Sequence, residues 1–300
     1  MSAAILASHE SAPRRLSRVT ATPPPAPGFI GPGHTAVEVL DPHERAASDP
    51  FVLLMDDRLD LPVRRQIGGP HPHAGLETVT LVLEGTVWDR HEGELTAGEV
   101  AWMTAGQGVV HNEHVEAAGH VRILQLWIGL PTRVREAEPA LKVLRRDAVP
   151  VRREPGALAR VYSGRSGSVV SSLSTLVPVT LVELVLEPGG RIEQEIPASY
   201  QGFLYVAGGE LTVSGDARVL GPGDIGWFRK VEPSGAGVTP AMSLVAGNAG
   251  ARVVLYAGEP HGEPLVQRGP FVAESGEGLA RFFQRYQAGG FKPLSEVVTG

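Results

Sequence analysis

The run TVTLVLE at positions 78–84 says most about the fold of this chain, because it is rich in β-branched and aliphatic residues and stops at Gly85. Two similar short runs follow at positions 99–104 and 121–130, and Pro131 ends the second of them. Turn-forming residues separate the runs, and no helical pattern of consequence lies between them. Short strands joined by tight turns predict a β-sandwich or β-barrel, so we expect an all-β fold.

A second series of strands lies further along the chain, and its order repeats that of the first. The segment AGEVAW at positions 97–102 has a counterpart in PGDIGW at positions 222–227. The predicted strands of the second series cover positions 179–187, 202–206, 210–214, 219–228 and 251–257. The likeness of the two halves predicts an internal duplication, and therefore two β domains of similar architecture.

Composition along the chain predicts the domain boundaries. Residues 1–34 are rich in proline and predict an extended N-terminal arm, and residues 35–132 form the first predicted domain. Residues 133–155 are charged and contain proline, which is typical of a linker. The second predicted domain covers residues 156–300 and ends with a short helix. Apolar side chains at helical spacing predict that helix, and they are Leu279, Phe282, Phe283 and Tyr286.

Composition also excludes several classes of function. The chain has 300 residues and no cysteine, which rules out disulfides, thiolate catalysis and cysteine-based metal sites. A formal net charge of −6 argues against direct contact with nucleic acid. No apolar run approaches the ~20 residues that span a bilayer, and the N-terminus lacks the pattern of a signal peptide. We therefore expect a cytoplasmic protein with no membrane contact and no direct nucleic-acid contact.

Two short motifs, HPH at positions 71–73 and HNE at positions 111–113, are the strongest functional signal in the chain. Residues two apart on a β-strand point to the same face, so each motif can direct both of its outer side chains at one point. Two such strands facing each other supply three imidazoles and a carboxylate, a set that suits a divalent transition metal. The spacing therefore predicts a metal site, and its candidate ligands are His71, His73, His111 and Glu113.

The surroundings of these motifs resemble the pirin family of bicupins. The resemblance covers most of the chain and rests on DPFVLL at 49–54, PHPHAGLETVT at 70–80, WMTAGQGVVHNE at 102–113, LQLWIGLP at 124–131, GEPHGEP at 258–264 and GPFV at 269–272. It implies two stacked cupin barrels of the jelly-roll type. It also implies that the N-terminal barrel binds a single metal ion, usually Fe(II), and that the C-terminal barrel binds none.

Carried over by motif, the ligands that the resemblance implies are the same three histidines and Glu113. Ordinary cupins take their carboxylate four residues after the His-x-His pair, where this chain has Glu77, so Glu77 is an alternative to Glu113. The pirin pattern and the two-residue spacing favour Glu113, with Glu77 next to the ligands. The chain departs from the family pattern at Ala74, at Leu76 and in a shortened hairpin at 85–98, and these changes alter the rim of the expected metal pocket.

The resemblance implies two classes of function. The first is a metal-dependent dioxygenase of the quercetin 2,3-dioxygenase type, which takes a quercetin-like flavonol or a related enolic small molecule in the N-terminal cupin pocket. Fe(II) is the expected cofactor, although other divalent first-row metals compete for such ligands, and Glu113 is also the candidate catalytic base. The alternative is a redox-sensitive regulatory protein that acts through protein partners, as a transcriptional co-regulator or a modulator of metabolic enzymes.

Overall fold

Two large, mainly antiparallel β-sheets and three smaller sheets form the computed structural model, which describes residues 13–90, 93–112, 115–213, 215–216, 218–231 and 239–299. The strands of the first half are β1 Leu16–Ala21, β2 Ala26–Pro27, β3 His34–Glu38, β4 Phe51–Gln66, β5 Pro70–His73, β6 Leu76–Glu84, β7 Thr86–Asp89, β8 Gly93–Thr96, β9 Val100–Thr104, β10 Val109–Asn112, β11 Glu116–Gly129 and β12 Ala140–Leu144. The strands of the second half are β13 Val151–Glu154, β14 Ala157–Ser163, β15 Arg165–Ser166, β16 Val169–Val170, β17 Val179–Leu186, β18 Arg191–Glu195, β19 Gln201–Val213, β20 Val219–Leu220, β21 Asp224–Phe228, β22 Ala241–Gly258, β23 Val266–Arg268, β24 Phe271–Ala273, β25 Lys292–Pro293 and β26 Val298–Thr299.

Helices are few among the described residues. They are α1 Arg45–Ser48, α2 Gly276–Gln287 and the 3₁₀ turns Pro42–Glu44, Thr132–Val134 and Leu294–Glu296. The predicted C-terminal helix is confirmed as α2, and the Ser275 hydroxyl caps it by accepting a hydrogen bond from the Gly278 backbone N–H at 3.2 Å. Among the described residues, no helix is long and apolar enough to cross a membrane.

The strands of the two large sheets, and of a three-stranded sheet that carries β5 and β10, are ordered as follows. The first sheet runs β2-β3-β4-β11-β6-β9-β12-β26, with β7 and β8 attached through β11. The second runs β1-β21-β19-β22-β17-β14-β13, with β18 and β20 at its sides. The small sheet has the order β25-β10-β5. The predicted β architecture is confirmed.

The two large sheets share one buried cluster of side chains. Because this cluster covers one face of the first sheet, only the opposite face is free to form a site. From the first sheet it includes Leu81, Trp102, Leu124, Leu126 and Ile128, and from the second it includes Phe203, Tyr205, Trp227, Val254 and Tyr256. Because side chains alternate along a strand, β11 turns its intervening residues to the opposite face. Those residues are Ile123, Gln125 and Trp127, and they line a cavity.

The corresponding interior of the second half contains a second, aliphatic cluster. Its members include Ala159, Val182, Leu184, Leu204, Val206, Leu244, Val253 and Leu255, and all are buried. Side chains of this type pack closely and offer no ligand atoms to a metal. This cluster therefore offers no candidate metal ligands among the described residues of the second half's interior.

At each end of the described chain, a strand pairs with a sheet of the other half. Strand β1 pairs with β21 of the second sheet, although it lies within residues 1–34, the predicted arm. Strand β26 pairs with β12 of the first sheet, and β12 itself lies within residues 133–155, the predicted linker. The charged residues of that segment conceal a strand, whose buried Leu141 and Leu144 lie three residues apart and therefore on opposite faces.

Candidate metal centre

Three histidines converge on one point in the first half of the chain. His71 and His73 lie two residues apart on β5, and His111 lies on β10 directly opposite His71 in the antiparallel register. Side chains at such positions share one face of the strand pair. The ligand atoms of the three imidazoles all lie within 4.8 Å of one another. The predicted convergence of these histidines is therefore present in the structure.

The spacing and orientation of the imidazoles fit a first-row metal ion. The Nε2 atoms of His71 and His111 are 3.0 Å apart. Two nitrogens bound at ~2.1 Å and at right angles to each other lie about 3.0 Å apart. The Nδ1 atom of His71 donates to the Gly69 carbonyl at 2.9 Å, which leaves Nε2 as its ligand atom. Three such donors suit iron, nickel, copper or zinc.

His73 is held in the form that binds metals. Burial lowers its pKa to about 3, the nearby His71 acts in the same direction, and the Pro270 carbonyl opposes both. The ring is therefore neutral at physiological pH, as metal coordination requires. Its Nδ1 atom is buried and has no hydrogen-bond partner among the described residues, and the edge of Trp127 packs against the ring with centroids 5.1 Å apart.

Glu77 lies away from the imidazoles. It occupies the opposite face of β6 from Thr78 and Thr80, which line the cavity, and it is absent from the histidine cluster. Its buried carboxylate accepts a hydrogen bond from the Thr104 hydroxyl at 2.9 Å. Burial raises the pKa of Glu77, and the Thr104 hydrogen bond opposes this only in part. The predicted ligand and catalytic base Glu113 lies outside the described residues, so its roles stay predictions.

We expect Glu77→Gln to retain a full equivalent of metal, because an amide replaces the buried carboxylate without removing a ligand. Glu113→Gln is the matched change at the other candidate, and we expect it to lower metal affinity at least about tenfold. Metal content after dialysis against a graded chelator measures both variants. A loss of metal in Glu77→Gln with full retention in Glu113→Gln would reverse the assignment.

A cavity of about 590 Å³ opens beside the three histidines, within the range of small-molecule sites. Its walls come mainly from the free face of β3, β4, β11 and β6. The apolar part of the lining includes Phe29, Ile30, Leu53, Met55, Leu59, Ile67, Val87, Leu95, Val115, Ile123 and Trp127. Hydrogen-bonded polar pairs interrupt it, and the Thr80 hydroxyl donates to Gln125 Oε1 at 2.8 Å.

Sequence reasoning missed several polar residues of this cavity, among them His34, Asp57, Thr80 and Gln125. Asp57 and Gln125 are polar side chains on strands whose same-face neighbours are apolar. That alternation could have marked them, but the sequence does not say which face of β4 or β11 packs against the other half.

The C-terminal segment supports the strands that carry the histidines. Strand β25 pairs in parallel with β10, so Val109 and Val110 lie beside Lys292 and Pro293. The ring of Phe291 packs directly over Gly108, where an added Cβ would lie 2.2 Å from a ring carbon. Residues about 180 positions apart in sequence thus build one small sheet around the metal centre.

We expect Gly108→Ala to lower metal affinity by about tenfold or more, because the methyl group would displace Phe291 and shift β10. Gly119→Ala is the matched control, since Gly119 also has a positive φ (+72°) but nothing lies within 4 Å of its Cβ position. Chelator competition measures the affinity of both variants. Equal losses in the two would show that backbone strain, and not the contact with Phe291, is responsible.

Two family models match the chain and together cover more than half of it. Residues 35–128 match the model described as Pirin, and residues 181–292 match the Pirin C-terminal cupin domain. This chain belongs to the pirin family. The predicted bicupin fold is confirmed by the same matches, and the histidine cluster lies in the N-terminal cupin.

A plant pirin and a bacterial protein are similar to the chain over most of its length. Pirin-1 of Arabidopsis thaliana is 35% identical over 256 residues, which is 80% of this chain and 82% of that protein. A Pseudomonas aeruginosa protein named "Putative quercetin 2,3-dioxygenase" is 34% identical over 277 residues, which is 88% of this chain and 94% of that protein.

Solved structures have the same fold. The crystal structure of GK1651 from Geobacillus kaustophilus is 36% identical, covers 85% of this chain and 100% of its own, and superposes with a TM-score of 0.72. A quercetin 2,3-dioxygenase from Acinetobacter baumannii (20% identity, 93% and 99% coverage, TM-score 0.77) shares the fold. So does the bacterial pirin YhhW of Escherichia coli, solved in complex with nickel(II) (22% identity, 81% and 100% coverage, TM-score 0.59).

Proposed function

We propose that this pirin is a metal-dependent dioxygenase that cleaves quercetin-like flavonols or related enolic small molecules, with Fe(II) as its metal. The observation that carries the proposal is the meeting of three imidazoles at the end of a largely apolar cavity of about 590 Å³. The similar Pseudomonas protein named for this activity supports the reaction class. The nickel(II) complex of the Escherichia coli pirin supports a divalent metal in a protein of this fold.

The residues that would hold the metal are His71, His73, His111 and Glu113. When bound, the metal would supply Lewis acidity and the chemistry of oxygen activation. Neutral imidazole is the form required, and the burial that lowers the pKa of His73 ensures it at physiological pH. The hydrogen bond from His71 to the Gly69 carbonyl fixes the orientation of that ring.

Other side chains would bind and orient the substrate. Trp127 packs against His73 and offers an aromatic edge beside the metal end of the cavity. The Thr80–Gln125 pair offers hydrogen bonds half-way along the wall, while apolar side chains exclude water around the reacting carbon atoms. Glu113 is proposed as the base that takes the proton of the substrate hydroxyl, which is worth about a hundredfold or more in rate.

Oxygen uptake tests the proposal. Protein loaded anaerobically with Fe(II) is mixed with quercetin in oxygenated buffer, and oxygen consumption and flavonol absorbance are followed together. We expect one O₂ consumed per flavonol lost, because a dioxygenase places both oxygen atoms in its product. No uptake by protein whose iron content has been verified would overturn the proposal and favour the regulatory alternative.

A further inference from the structure

A histidine–aspartate pair lies in the wall of the same cavity, away from the metal centre. His34 on β3 and Asp57 on β4 both line the cavity, and their Nε2 and Oδ1 atoms are 2.8 Å apart. The His34 Nδ1 atom accepts from the Ile30 backbone N–H at 3.4 Å, so its Nε2–H donates to Asp57. The imidazole is buried, with a side chain only 1% exposed.

The turn before β3 is shaped around this imidazole. At Gly28 an added Cβ would lie 2.0 Å from His34 Nδ1, so only glycine leaves room for the ring. The ring of Phe29 meets the imidazole edge-on, with centroids 5.3 Å apart. His34 is therefore fixed from two sides, and it fixes one oxygen of Asp57 in turn.

The other oxygen of Asp57 remains available to a ligand. The Asp57 side chain is 19% exposed, and its Oδ2 atom accepts no hydrogen bond from any described residue. A carboxylate held in this way is a strong acceptor for a hydroxyl or amine donor inside the cavity.

The register of the sheet gives the position of Asp57 along the cavity. Leu53 pairs with Trp127, which packs against His73 and marks the metal end. Asp57 lies four residues further along β4, about 13 Å away at ~3.3 Å per residue. A ligand that reaches from the Trp127 end of the cavity to Asp57 must therefore be elongated, with a body of two or three rings.

The charge of the wall restricts the ligand further. Three carboxylates line the cavity, those of Glu38, Asp57 and Asp89, and no lysine or arginine is present among the described residues of its lining. A ligand with a carboxylate or phosphate away from the metal would be repelled. An uncharged ligand that carries hydroxyl donors is favoured.

We propose that Asp57, positioned by His34, recognises a hydroxyl group at the far end of the substrate, so that the pocket selects elongated neutral polyphenols. This inference rests on the proposed function, since it takes the metal end of the cavity as the reacting end. Asp57 is then a specificity-determining residue, and His34 is a positioning residue that acts through it.

Two flavonols with the same metal-binding group test the proposal. Quercetin carries hydroxyls on both outer rings, and 3-hydroxyflavone carries none. Their dissociation constants are measured by quenching of tryptophan fluorescence in anaerobic Fe(II)-loaded protein, where no turnover occurs. We expect Asp57→Asn to reduce the preference for quercetin by about tenfold and to leave the binding of 3-hydroxyflavone unchanged.

Matched variants separate recognition from a general structural effect. Asp60→Asn is the same change at an exposed carboxylate on β4 that does not line the cavity, and it should keep the wild-type preference. His34→Ala should reduce the preference as Asp57→Asn does, whereas His34→Gln, whose amide can still donate, should restore it.

The outcomes distinguish this inference from the proposed function. Equal weakening of both flavonols in Asp57→Asn, or no weakening of either, would overturn the role of Asp57 even if quercetin is turned over. An Asp57-dependent preference without turnover would support that role and reject the dioxygenase. Absence of binding of either flavonol to the wild-type protein would reject both.

Discussion

Oxygen uptake with quercetin will fall below detection in the His111→Ala variant. His111 supplies the imidazole opposite His71, and the Nε2 atoms of the two rings are 3.0 Å apart. Among the described histidines of the cluster, His111 is the one that lies on β10. Removing it leaves two imidazoles, both on β5. Substitutions that only disturb the supports of a ligand cost 10–100-fold in affinity, so loss of the ligand itself should cost more than about a hundredfold.

Metal content and oxygen uptake should fall together in that variant. His120→Ala is the control, since His120 is an exposed residue that pairs with Glu84 and lies outside the histidine cluster. It should keep both properties at the wild-type level. Full metal content and a wild-type rate in His111→Ala would show that the reaction does not use this centre.

Asp56→Ala will destabilise the protein by about 3–5 kcal/mol, because it breaks a buried ion pair and leaves a charge without its partner. Asp56 is fully buried and accepts hydrogen bonds from Arg122 Nε at 2.8 Å and Nη2 at 2.7 Å. The Tyr205 hydroxyl of the second sheet donates to the same carboxylate at 2.7 Å. Without Asp56, the buried Arg122 keeps the Ala207 carbonyl at 2.9 Å and a looser ion pair with Glu84 at 3.8 Å.

Urea unfolding of the wild type and of Asp56→Ala measures the loss of stability. Asp60→Ala removes an exposed carboxylate from the same strand, and we expect it to change the free energy of unfolding by less than about 0.5 kcal/mol. A midpoint for Asp56→Ala equal to that of Asp60→Ala would show that the buried Asp56–Arg122 pair adds nothing to stability.

The difference in the free energy of unfolding between the wild type and Asp56→Ala should depend on pH. Burial acts to raise the pKa of Asp56, but the hydrogen bonds from Arg122 and Arg58 outweigh it and hold the pKa below its ordinary value. A depressed pKa adds stability that is fully present above the unfolded-state pKa of about 3.9 and is lost as the pH falls through the folded value. The difference should therefore be constant near neutral pH and shrink below about pH 4.

Local sequence was sufficient to predict much of the fold and to identify three candidate metal ligands. Runs of β-branched and aliphatic residues predicted the strands, and apolar side chains at helical spacing from Leu279 to Tyr286 predicted α2. The HPH motif was sufficient to place His71 and His73 together, because a two-residue spacing on a strand leaves no other arrangement. The motifs around it were specific enough to indicate the family.

Local sequence could not decide which face of each strand is buried against the other sheet. Glu77 and Thr78 are neighbours on β6, and either could have lined the cavity by periodicity alone. Packing of the first sheet against the second buries the Glu77 face and leaves Thr78 towards the histidines. A shift of one residue in register exchanges the two faces, so this choice depends on the fit of whole sheets.

The chain by itself determined the strands and the two His-bearing motifs, because those properties depend on neighbours one to four residues apart. Only the tertiary structure decided that His34 meets Asp57 in the cavity and that Phe291 closes over Gly108. These contacts join residues that are far apart in sequence, and they form only when sheet register and burial of the shared core are satisfied together.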